Sequence, residues 1–165
     1  MTIGLRRLLA HMAWSNQHLL EHLRSLPNEA LTAFVKDPEW DIAEIVHHIV
    51  DSADFYYFRI SGDWADVPGE EIEKPRLSSD LELLIEQCKA VDLALIESVE
   101  LDEIRVQFER HDGEVVQRWR STILSQAIHH ATEHRAQIAA ALEVRGFESF
   151  LLDDFDLWAF EISEG

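Results

Sequence analysis

The chain has 165 residues, 47% of them hydrophobic and 28% charged, which suits one globular domain spanning residues 1–165 and excludes a disordered chain. Fourteen Lys and Arg against 32 Asp and Glu leave a formal net charge of −18. That balance excludes nucleic-acid binding through phosphates, disfavours docking on an anionic membrane, and reads most simply as a solubility surface.

The first predicted helix runs from about Ile3 to Ser25, with Leu5, Leu8, Leu9, Met12, Leu19 and Leu23 on one arc, and "LPNEAL" ends it. His11, Ser15, Asn16 and Gln17 interrupt its apolar character, and nothing longer reaches membrane-spanning length. The second helix is expected from about Asp41 to Ile60, its apolar face formed by Ile42, Ile45, Val46, Ile49, Ala53 and Tyr56. "SGDWADVPGEEIEKP" reads as a loop by its Gly and Pro content. "LSSDLELL" offers a capping serine for a third helix reaching about Val99. Cys88, the only cysteine, lies in this helix among Leu81, Leu84, Ile85, Val91 and Leu95. The spacing predicts a buried, inert thiol, and a lone cysteine suits a cytoplasmic protein without internal disulfides.

Between Arg105 and Trp119 the period changes to strand-like alternation around Asp112-Gly113, a dipeptide suited to a tight hairpin turn. The fourth helix is expected from about Thr122 to Arg145, stopped by Gly146. "DDFDLWAFEISEG" reads as a short amphipathic tail packed on the body. The elements sum to an all-α fold: a four-helix bundle with a small β-hairpin before the last long helix.

Nine histidines are sorted by helical phase. His130 and His134 are four apart on one face of the fourth helix, bordered by Ile123, Ala127, Ala131, Ile138 and Ala141, so both rings point into the bundle. His129 falls on the outer side. On the second helix His47 shares an acidic arc with Glu44, Asp51 and Asp54, whereas His48 flanks the apolar stripe and is placed to join the other two. Buried imidazoles need partners. Either a divalent metal such as zinc or nickel satisfies His48, His130 and His134 together, or they are hydrogen-bonded core histidines. Three protein ligands would leave an open position, the mark of a catalytic site. His11, His18 and His22 line the margin of the first helix and read as surface residues, as does His111 in the hairpin turn.

With these residues placed, the chain resembles the DinB/YfiT-like superfamily of four-helix-bundle proteins. "HATEHRAQ", His130 to Gln137, is similar to its His-x-x-x-His-Arg-Gly-Gln motif; "IVHHIVDSADFYYFRISG" is similar to its second-helix pattern, in the register that selects His48; and "HMAWSN" keeps Trp14 and Asn16 of its first-helix pattern. Ala136 stands where the pattern has glycine, which would narrow a helix approach, and His11 stands where it has an aromatic residue. The resemblance implies a metal site at His48, His130 and His134, a homodimer paired through helix faces, and transfer or isomerisation of a small-molecule substrate using a low-molecular-weight thiol as cosubstrate. Metal-dependent hydrolysis, or a non-catalytic bundle stabilised by metal and acting through protein partners, remain the alternatives.

Other polar residues bear on the same site. Glu44, Asp51 and Glu133 are candidates to orient ligand rings, although their phases point outward. Asn16 and Asp92 fall within apolar arcs, where buried side chains need partners such as each other, Trp14 or a ligand ring. Arg135 could meet a substrate carboxylate or hold a structural partner. Trp40, Trp64, Trp119 and Trp158 sit near element ends as packing residues.

Overall fold

The structure, a computed structural model, describes residues 4–70, 74–110 and 112–165. Helix α1 (Leu5–Ser25) buries Leu9, Met12, Leu19 and Leu23 at no more than 2% exposure. It stops because Leu26 precedes Pro27 and is forced into an extended conformation. Ile3, the expected first residue, lies outside the described residues. A 3₁₀ turn at Asn28–Thr32 leads to α2 (Ile42–Ser61). Asp41 caps α2 by accepting the Glu44 N–H at 2.9 Å, and Gly62 ends it at φ +87°, where any side chain would be strained.

Helix α3 (Ser78–Glu97) begins differently from expectation. No serine caps it: Leu77 occupies the N-cap position, and Asp80 reaches back to accept the N–H groups of Arg76 at 2.8 Å and Leu77 at 3.0 Å. Ser78 is instead bound to the Asn28 side chain across the bundle end. Strands β1 (Arg105–Glu109) and β2 (Val115–Trp119) pair antiparallel, with Gln107 opposite Gln117. Gly113 at φ +81° closes their connection, which is longer than a two-residue turn because Arg110 N–H bonds the Glu114 carbonyl. His111 lies outside the described residues.

Helix α4 (Arg120–Arg145) follows β2 without a linker and ends on Gly146 at φ +76°. A 3₁₀ turn at Leu152–Phe155 and helix α5 (Leu157–Glu164) complete the chain. Helix α1 packs chiefly on α3 and α2 chiefly on α4, with α2–α3 and α1–α4 closing a four-helix bundle. The hairpin is fixed to α2 by Arg59, whose guanidinium carbon lies 4.1 Å from the Phe55 ring centroid and 4.4 Å from that of Phe108 in β1.

The C-terminal tail corrects one expectation. Phe155 and Phe160 are buried against α1, and His11 is buried beneath them instead of lying on the surface. Its Nε2 is 2.7 Å from the Phe155 carbonyl oxygen, and its ring stacks on Trp14, so it occupies the packing place of an aromatic side chain. His22 is half-buried against the Glu148 carbonyl at 3.1 Å, whereas His18 is exposed. Trp158 is 77% exposed and does not pack on the body as expected; Trp64 and Trp119 are also largely exposed. Among the described residues, no helix is long and apolar enough to cross a membrane.

Candidate metal centre

Where α2 crosses α4, three imidazoles meet. His130 and His134 arrive together because four residues make slightly more than one helical turn, and His48 meets them from α2. His48 Nε2 is 3.1 Å from His130 Nε2, and His134 Nε2 is 3.0 Å from the same atom. One nitrogen from each ring lies within 4.8 Å of the other two. Nitrogens bound to one zinc ion at about 2.1 Å stand roughly 3.4 Å apart, so the donor set fits a shared divalent cation. Among the described residues, no second group of this kind occurs, and the first-helix histidines form none.

The proton arrangement of His134 follows from its neighbours. Trp40 Nε1 donates to Gln137 Oε1 at 3.1 Å, and an indole nitrogen can only donate, so the Gln137 atom is the oxygen. That same oxygen lies 3.0 Å from His134 Nδ1. Nδ1 therefore carries the hydrogen, and Nε2 presents a lone pair to the other two rings. Ser52 Oγ lies 3.4 Å from His48 Nδ1. None of the proposed acidic orienting residues hydrogen-bonds the three rings. Glu44 is turned to Lys74, and Glu133 is exposed.

Electrostatics keep His48 and His130 in the neutral, ligating form. Burial pulls His130 down to about 4, helped by His134 and His48. His48 is lowered by burial first and by His134 second. Aromatic rings frame the cluster. Trp40 lies edge-on to His48 and His134, at centroid distances of 5.2 and 5.8 Å, and Tyr56 lies edge-on to His130 at 5.8 Å. His134 is buried, and the other two histidines are half-buried, so solvent reaches the cluster at His48 and His130.

A sequence model of the DinB family matches residues 1–162. The chain belongs to the DinB family. Among solved structures, this DinB-family chain is similar to a DinB-like protein from Bacillus cereus ATCC 10987. The two are 19% identical with a TM-score of 0.63, over 86% of this chain and 91% of that one, a likeness of fold. Comparison with curated proteins finds no match.

The remaining candidates separate cleanly. Gln137 lies inside the quoted motif, yet sequence reasoning misses its orienting role, because its indole partner is 97 positions away. Ala136 is exposed and lines a groove with Trp40, Gln137 and Val35. His129 is exposed as expected. His47 is half-buried beside Asp51 and Asp54 in a cleft, not on an open acidic face.

Arg135 is 3% exposed and unavailable to a substrate carboxylate. It donates to Asn16 Oδ1 and Thr132 Oγ1, each at 3.0 Å. Asn16 Nδ2 in turn donates to both oxygens of Asp92, at 3.3 and 3.2 Å. Cys88 is 2% exposed and donates to Asp92, and burial pushes its thiol well above the ordinary range.

Proposed function

We propose that this DinB-family protein is a metal-dependent enzyme whose centre is held by His48, His130 and His134, and that it carries out transfer or isomerisation with a low-molecular-weight thiol. The observation that carries this reading is the meeting of three Nε2 atoms, with the His134 lone pair aimed inward by Gln137. Imidazole donors suit zinc or nickel. When a divalent cation is held there, it supplies a Lewis-acid position that brings a thiol to its thiolate form at neutral pH.

The chain's own side chains support the rest. His130 and His48 are kept neutral, so no proton must be displaced before they ligate. Trp40 and Tyr56 wall the site with ring surface and limit water beside it. Asp51 and Glu44 act electrostatically on His48, although no carboxylate among the described residues hydrogen-bonds the three rings, so the choice of thiol chemistry over hydrolysis rests on the resemblance. The resemblance to thiol-using members supports the same class, and pairing as a homodimer through helix faces belongs to the proposal. A cytoplasmic setting, where thiols stay reduced, completes it.

The test is metal analysis of untagged protein beside His134→Ala, together with a colorimetric screen for consumption of glutathione, mycothiol and bacillithiol against electrophilic substrates. The expected result is about one equivalent of zinc or nickel in the parent, loss in the variant, and metal-restored thiol turnover. Equal metal content in both proteins would overturn the proposal. Strong chelator-induced destabilisation without turnover would reduce the site to a structural one.

A further inference from the structure

A cleft of ≈ 380 Å³ opens on the α3 side of α2, and none of the three focal histidines lines it. Its apolar floor is built by Val50 of α2 with Leu84 and Val91 of α3. Trp64 forms a wall. The indole is set by stacking on Phe58 at a centroid distance of 4.5 Å and an interplanar angle of 15°. Yet Trp64 remains 55% exposed, so ring surface is left for a ligand.

The polar lining is one-sided. Asp51 and Asp54 supply carboxylates, and among the described residues His47 is the remaining ionisable group and no Lys or Arg lines the cleft. Asp54 Oδ1 accepts the Ala65 N–H at 2.9 Å, which fixes the carboxylate against the loop. An independent sign comes from Gln87, only 5% exposed. Its Nε2 donates to the carbonyls of Pro68 at 3.1 Å and Glu70 at 2.8 Å, which fixes the amide orientation. Among the described residues nothing donates to its Oε1. Gln87 lines the cleft, and its Oε1 is not among the buried unpartnered atoms, so solvent reaches it and it is free to accept from a ligand.

We propose that this cleft is a second small-molecule site, separate from the histidine centre, that binds a primary ammonium carried on an apolar or aromatic body. A primary ammonium offers three N–H donors, and the cleft offers two carboxylates and one open amide oxygen. Trp64 adds a cation–π face, and the aliphatic floor takes the body. Carboxylate or phosphate ligands are repelled by the same lining. Burial holds the Asp54 carboxyl above the usual carboxylate range, so an arriving cation favours its charged form.

Calorimetric titration of the full chain with phenethylamine, its N,N,N-trimethyl derivative, 2-phenylethanol and 3-phenylpropionate tests this. Phenethylamine should bind saturably at one equivalent, the trimethyl derivative roughly tenfold more weakly for want of N–H donors, and the alcohol and the acid not measurably. Trp64→Ala and Asp54→Asn should each weaken phenethylamine by roughly tenfold. The amide introduced by Asp54→Asn retains an oxygen for the Ala65 N–H, and circular dichroism checks that both variants fold. Chelator-treated protein should bind the amine as well as untreated protein, so failure of the metal reading leaves this one standing. Equal binding of amine and alcohol, unchanged binding in both variants, or no saturation at millimolar amine overturns the proposal.

Discussion

The side-chain oxygen of Gln137 lies 3.0 Å from Nδ1 of His134, three residues earlier on the same helix. Because the Trp40 indole donates to that oxygen as well, the glutamine cannot flip without losing two hydrogen bonds. A side chain that touches no other member of the cluster thereby sets which nitrogen of His134 is free to ligate.

Gln137→Leu should therefore lower metal affinity by roughly 10–100-fold while leaving the three histidines in place. Competition against a chelator of known affinity measures this. Unchanged affinity would mean that the glutamine serves only to tie Trp40 to α4.

In metal-free protein, the His130 ring should titrate near 4, far below the ordinary 6.5, and NMR of the imidazole protons in chelated protein reads the midpoint directly. An unfolded histidine takes up its proton first as the pH falls. The contribution of a neutral His130 to stability is thus complete above 6.5 and lost as the pH drops through about 4. His130→Gln should flatten that acid dependence in chemical-unfolding experiments. A midpoint near 6.5 would contradict the burial.

Asp92 works in the opposite sense. Burial lifts its carboxyl to about 6, against which Asn16, Cys88 and Arg135 pull it down. Its contribution is complete below 3.8 and lost as the pH rises through about 6. The stability of the parent relative to Asp92→Asn should therefore fall across that window, as measured by urea midpoints at several pH values.

Asn16 bridges two buried charges that do not touch, donating to Asp92 while accepting from Arg135. Asn16→Ala strands both, and breaking such a buried arrangement costs about 3–5 kcal/mol. Denaturant unfolding of the folded variant measures the loss. A change below about 1 kcal/mol would show that water replaces the amide.

Cys88 should be nearly silent toward thiol reagents in native protein, since it is 2% exposed and held protonated beside Asp92. One equivalent should react after unfolding. Rapid native labelling would require that α3 opens readily.

The local elements are legible because the forces that make them are local. Apolar residues at helical spacing predict the four helices, Gly146 predicts the stop of α4, and the i, i+4 spacing places His130 beside His134. Phase alone also selects His48 over His47. The α3 cap is misread because two serines sit beside the stronger acceptor, Asp80, whose reach back to Leu77 is a matter of rotamer. His11 is misread because the chain that covers it comes from the other end: its partner carbonyl is 144 positions away.

By itself, the sequence determined the helices, the all-α class and the identity of the candidate ligands, since periodicity and short spacings are properties of a single helix. Only the tertiary structure decided the rest: that His48 reaches the α4 pair, that Trp40 and Gln137 set the His134 proton, and that Asn16 separates Asp92 from Arg135. Those relationships depend on how far apart two helices pack and how each is rotated. Separation and rotation are set by the whole core, and no stretch of sequence encodes them alone.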